Sequence, residues 1–162
     1  VIVVSDTSPI TNLAAIGQLD LLRQLYDSVI IPLAVYNEMV SVDRVVPGTL
    51  EVQTFDWIQT QTVADSNRVV EIQENIHLGE AEAIVLALEL EADLLLMDER
   101  RGRAVAMSYG VNVTGLLGVL LQAKRNGLLS AVKPVIHQLM EQVDFRISSQ
   151  LYVEILQTAG EL

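Results

Sequence analysis

Two short apolar runs in this sequence stop at an aspartate. VIVVS, residues 1–5, ends at Asp6, and LLLM, residues 94–97, ends at Asp98. Short continuous apolar runs of this kind read as strands buried on both faces of a sheet. SVIIP, residues 28–32, reads as a third. Helical patterns fill the spaces between them. SPITNLAAIGQLDLLRQLY is one, with Ser8 as candidate N-cap, Pro9 as first helical residue and a break at Gly17. LAVYNEMV, residues 33–40, is a short helix carrying Glu38. Residues 41–49 read as a loop, 50–62 are ambiguous with an edge strand around 57–63, and 65–75 read as a helix.

LGEAEAIVLALELEAD is the clearest helix, with acids in its first turn where the helix dipole favours them. After LLLMD come a helix over 100–109, a short strand VNVT, and a helix GLLGVLLQAKRNG stopped at Gly127. SAVKPVIHQLMEQV and SSQLYVEILQTAG are two amphipathic helices, each expected to open on a serine cap. Strand and helix alternate, then helices finish the chain. That order predicts the α/β class, an open parallel sheet with helices on both faces.

Composition fits this architecture. Hydrophobic residues make up 51% of the chain, yet there are just two Phe, four Tyr and one Trp. The core must be Leu, Val, Ile and Ala, which suits a parallel sheet under helices. At 162 residues one domain over 1–162 is expected, residues 130–160 either completing it or serving an interface. There is no cysteine, so thiolate metal sites, cysteine nucleophiles and disulfides are excluded. A cytoplasmic location is the matching expectation. No apolar run reaches the roughly 18 residues that cross a bilayer. The net charge is −11. A chain so acidic repels polyanions at long range, which counts against a non-specific nucleic-acid binder. Bound divalent cations would reverse that locally.

In open parallel sheets, ligands bind beyond the carboxyl ends of the strands. Asp6 and Asp98 leave the sheet at that edge. Glu38 follows the strand SVIIP closely enough to face it too. Glu82 joins them if the start of its helix leans over the same edge. Singly, each acid has an ordinary explanation as a turn residue, an N-cap or a dipole-complementing charge. Their order along a strand–helix sequence is what raises the odds of a shared site.

The segments VVSDTSPI, IPLAVYNEM, GEAEAIVLALE, LLLMDERRGRAVA and VTGLLGVLLQAKRNGLL together resemble the PIN-domain family, in its bacterial and archaeal branch related to toxin–antitoxin ribonucleases. The resemblance runs from Val1 to about Leu129. It implies a three-layer α/β/α sandwich around a parallel, Rossmann-like sheet. It implies three or four acids that bind Mg2+ or Mn2+ and cleave phosphodiester bonds, usually in RNA. Carried over by position, Asp6 is the first acid, Glu38 the second, Glu82 the third and Asp98 the fourth, with Thr7 or Ser8 as the hydroxyl beside the first. Glu82 is preferred because Ala87 stands five residues on, where the family has a small residue. Glu80 is the reserve. The two lie about 200° apart on a helix, so both can hardly serve one ion.

Arg100, Arg101 and Arg103 form the densest basic stretch, with Lys124 and Arg125 as a second pair. They are weaker candidates for gripping phosphates. His77 and His137 have no partner at metal-ligand spacing. A phosphatase with Asp6 as nucleophile is disfavoured, because Ser8 stands where a second aspartate is needed. A receiver domain is disfavoured because Asp6 has no acidic neighbour. The leading expectation is a metal-dependent endoribonuclease, with or without a small antitoxin partner, acting as a homodimer. The alternative is a catalytically silent binding module. One metal or two is left open.

Overall fold

The computed structural model describes residues 1–41 and 43–162. The loop expected over 41–49 includes Val42, which lies outside the described residues. The elements run β1 (Val3–Ser5), α1 (Thr7–Ala15), α2 (Asp20–Tyr26), β2 (Val29–Pro32), α3 (Leu33–Met39), α4 (Thr49–Thr54), β3 (Ile58–Gln61), α5 (Ser66–Gln73), α6 (Leu78–Glu89), β4 (Leu94–Leu96), α7 (Arg100–Ser108), β5 (Val113–Thr114), α8 (Leu116–Arg125), α9 (Lys133–Gln142) and α10 (Ser149–Ala159).

The strands form one five-stranded sheet in the order β3-β2-β1-β4-β5. Every pairing is parallel, with Val4 opposite both Ile30 and Leu95. The chain builds outward from β1 to β3, then returns across the sheet to β4. That return makes a switch point between β1 and β4, the place where open α/β sheets take ligands.

Alternation along the strands divides the core in two. Val3, Val29, Ile31 and Leu96 face a layer made mainly by α1, α2, α3, α8 and α9. Val4, Leu95 and Met97 face a second layer made by α5, α6 and α7. This is the three-layer α/β/α arrangement. Ile136 and Leu139 on α9 and Leu156 on α10 are buried in the first layer, whereas Met140 and Leu151 are exposed.

Three helix starts differ from expectation. α1 begins at Thr7, with Asp6 in the N-cap position and Pro9 third in the helix. A first-turn N–H has no partner inside the helix, so proline marks that turn rather than its first residue. α9 begins at Lys133 without a serine cap. Its start is capped from far along the chain, since Glu161 accepts the Val132 N–H at 2.8 Å and the Lys133 N–H at 3.0 Å. The ambiguous segment before β3 holds α4, which begins after Gly48 at φ +93°. α10 keeps its expected cap: Ser148 Oγ accepts the Leu151 N–H at 3.1 Å.

Candidate active site

Four acids come together over the carboxyl edge of β1 and β4, and one of the four differs from expectation. Asp6 leaves the end of β1, and its backbone N–H donates to Leu96 O at 2.9 Å, fastening it to β4. Its residue is 6% exposed. Although Asp6 holds the N-cap position, its carboxylate makes no cap hydrogen bond, so capping does not account for it. Asp98 follows β4. Its Oδ1 accepts the Leu116 N–H at 2.6 Å, capping α8, and its Oδ2 accepts from Ser8 Oγ at 3.4 Å. Glu38 stands in the last turn of α3, and its Oε2 accepts from Thr7 Oγ1 at 3.0 Å.

The third acid is where the structure corrects the sequence. Glu82 does not turn toward Asp6. Its Oε1 accepts the Ala34 N–H at 3.0 Å, satisfying the start of α3. Glu80 occupies the place expected for Glu82. It is 5% exposed, and its Oε1 accepts the His77 N–H at 3.1 Å. Glu80 Oε2 is buried with no hydrogen-bond partner. By reaching back to the His77 N–H, Glu80 forms the carboxylate half of a capping box at the start of α6. The roll of α6 that forms this box points Glu80 inward, and the 200° offset then sends Glu82 to α3.

The acids feel one another. Burial pushes the Asp6 carboxyl up to about 7; the Thr7 N–H opposes this, while the carboxylates of Glu80, Glu38 and Asp98 add to it. Burial also raises Glu80, against the His77 N–H and with further push from Glu99 and Glu38. Burial raises Asp98 too, opposed by the Leu116 N–H, the Ser8 hydroxyl and the charge of Arg103. Like charges gathered in low dielectric do this unless a cation intervenes.

Glycines line the acids. A Cβ on Gly79 would stand 2.9 Å from Glu38 Oε2 and 3.7 Å from Asp6 Oδ1. One on Gly102 would stand 2.6 Å from Glu80 Oε2, and one on Gly115 would stand 3.1 Å from Asp98 Oδ1. The room around the carboxylates therefore exists because these three positions lack side chains.

The basic candidates separate. Arg103 lies beside Asp98 at Gly115. Arg101 lines a cleft of about 410 Å³ that opens beside Glu80. Arg100 is exposed. Lys124 pairs with Glu161 at 3.0 Å and ties α8 to the C-terminus. His137 Nε2 lies 2.7 Å from the Tyr152 hydroxyl, joining α9 to α10 away from the acids. A second cleft, of about 260 Å³, adjoins Glu38 through Thr7 and is lined by Thr11, Asn12 and Arg44. Sequence reasoning passed over Arg44, an isolated exposed cation in a loop, with no local pattern to mark it.

The five-stranded parallel sheet thus carries four carboxylates over its switch point. A family model described as PIN domain matches residues 2–161, and the chain belongs to the PIN-domain family. No curated protein matches the chain. PIN domains are generally nucleases and typically use divalent metals. The residues here fit such an ion in donor type. All four are carboxylates, the hard oxygen donors that magnesium and manganese take, and the orphaned Glu80 Oε2 needs a partner. As they stand, no three acids among the described residues converge closely enough to hold an ion, so ligation requires the carboxylates to turn. No helix of the described chain is long and apolar enough to cross a membrane.

Proposed function

We propose that this protein is a Mg2+- or Mn2+-dependent endoribonuclease whose site is Asp6, Glu38, Glu80 and Asp98. One observation carries this reading. Asp6 is buried without a cap or an ion-pair partner and faces three further acids. Such an arrangement opposes stability and is understandable as a cation site.

Asp6, Glu38 and Glu80 would hold the cation, with Asp98 fixed at their edge by Leu116 and Ser8. Bound there, a divalent ion supplies the positive charge that ionises the acids and polarises a phosphodiester. Thr7 orients Glu38 through its hydroxyl. Glu80, anchored through Oε1 to the His77 N–H, would offer Oε2 to the cation. Arg103, beside Asp98, is placed to meet a phosphate oxygen.

The test is incubation of purified protein with single-stranded RNA and Mn2+, beside Asp6→Asn and Glu80→Gln. Cleavage by the wild type and loss in both variants is expected. Equal cleavage by all three would sink the assignment. The likeness to toxin–antitoxin ribonucleases supports a toxin role with a small antitoxin partner in the cytoplasm; growth arrest on induction, relieved by Asp6→Asn, tests it. Homodimer formation belongs to the same proposal, and a monomer mass in light scattering refutes it.

A silent binding module is the second reading. It is favoured by Asp98, both of whose oxygens already have protein partners. Calorimetric titration with Mn2+ separates the two, since absence of heat at millimolar metal supports the silent module.

A further inference from the structure

The cleft beside Glu80 is large enough for a nucleotide-sized ligand at about 410 Å³, but its chemistry is wrong for a phosphate. Glu74, Glu80 and Glu99 line it against the single guanidinium of Arg101. Three carboxylates facing one cation repel an anion. The same wall suits a neutral, planar group with N–H donors on its edge. Gln73 and Asn75 add amide groups, and the His77 ring is exposed there. Glu99 holds the N-cap position of α7, yet its carboxylate makes no cap hydrogen bond. Glu80 belongs both to this lining and to the four acids, so the cleft adjoins them. By contrast, the cleft beside Thr7 has no acid: Thr7, Thr11, Asn12 and Arg44 share it with the apolar Ala15, Val46, Pro47 and Val143, so a phosphate there meets one cation and no carboxylate.

We propose that the Glu80 cleft is a base-recognition subsite, which takes one unstacked nucleobase next to the scissile phosphate and prefers guanine. Guanine presents two parallel N–H donors, on N1 and N2, that match the two oxygens of the Glu99 carboxylate. Uracil presents one donor between two acceptors and meets the carboxylates badly. Single-stranded RNA is commonly read this way, with bases splayed out, stacked on His or Arg planes and bonded on their Watson–Crick edges. Here Arg101 and His77 supply the planes. The strand then continues past the four acids into the Arg44 cleft. This subsite rests on the nuclease reading for its place in a reaction, but binding tests it separately.

Labelled single-stranded RNA oligomers that differ at one position, guanine, inosine or uracil, are titrated by anisotropy against the metal-free full chain, with EDTA present to prevent cleavage. Guanine is expected to bind about fivefold or more tighter than uracil, with inosine between them. Glu99→Gln is expected to erase most of that gap, because a carboxamide offers one acceptor. Arg101→Ala is expected to weaken all three oligomers by about fivefold without changing their order. Glu71→Gln, exposed on α5 outside the cleft, serves as control. Equal affinity for guanine and uracil, or a preference untouched by both Glu99→Gln and Glu74→Gln, overturns the subsite. Guanine-selective binding without cleavage in Mn2+ keeps the subsite and overturns the nuclease reading. Cleavage with no base preference at the cut does the reverse.

Discussion

Glu80 and Glu82 leave the same turn of α6 in opposite senses: one is anchored to the His77 N–H at 3.1 Å and faces Asp6, the other accepts the Ala34 N–H at 3.0 Å at the start of α3. Two acids of the same type, two residues apart, thus have different work. Glu80→Gln is expected to abolish cleavage and weaken Mn2+ binding at least tenfold. Glu82→Ala is expected to lower stability by about 1 kcal/mol, as for loss of a helix cap, and to leave the Mn2+ affinity within twofold. Denaturation curves and calorimetry on both variants separate the roles; the reverse pattern would restore Glu82 to the pocket.

Asp6 sets a pH dependence. Its ordinary value is 3.8, and burial in the metal-free fold raises it to about 7. Folding is therefore helped while Asp6 is protonated. That contribution is complete below about pH 4 and is lost as pH rises toward 7, at most roughly 4 kcal/mol. Glu80 and Asp98 are shifted in the same direction. The melting temperature in EDTA should fall between pH 5 and 7.5, and Asp6→Asn should flatten the slope. Added Mn2+ should restore stability above pH 7 in the wild type. A wild-type slope equal to that of Asp6→Asn counts against the raised carboxyl.

Gly79→Ala tests the glycine lining. The new methyl would stand 2.9 Å from Glu38 Oε2, and helix propensity favours alanine over glycine by up to about 1 kcal/mol. Stability should hold while Mn2+ affinity falls. If metal affinity is unchanged, the space beside Glu38 and Asp6 is not needed for the carboxylates to turn.

Glu161 clamps the C-terminal helices. It accepts the Val132 and Lys133 N–H groups and pairs with Lys124 at 3.0 Å. Glu161→Ala removes the remote cap of α9 and should cost roughly 2 kcal/mol, read as a lower urea midpoint. Cleavage below the new transition should persist, since the clamp lies away from the acids.

The strand-end aspartates are legible in sequence because a buried parallel strand leaves its own signature: an unbroken apolar run that stops at a polar residue. Val3–Ser5 and Leu94–Leu96 each follow it. The choice between Glu80 and Glu82 is not legible in the same way. Helical periodicity says that one faces the pocket, but which one depends on the roll of α6 against α3 and β1, a tertiary outcome. The local clue was the capping box from His77 to Glu80, hidden because histidine is not a usual N-cap residue. α4 was hidden for a different reason, since six residues are too few to show a period. The expectation from Ala87 misdirected the register: Ala87 is buried in the core, which accounts for its small size without reference to Glu82.

The return of the chain from β3 to β4 has a consequence for synthesis. Asp6 and Glu38 are made early, with the end of β1 and with α3, while Glu80 and Asp98 arrive with α6 and the end of β4. A growing chain released before Asp98 has docked beside β1 lacks half of the pocket. The four-acid cluster is complete only once β4 takes its place beside β1 at the middle of the sheet.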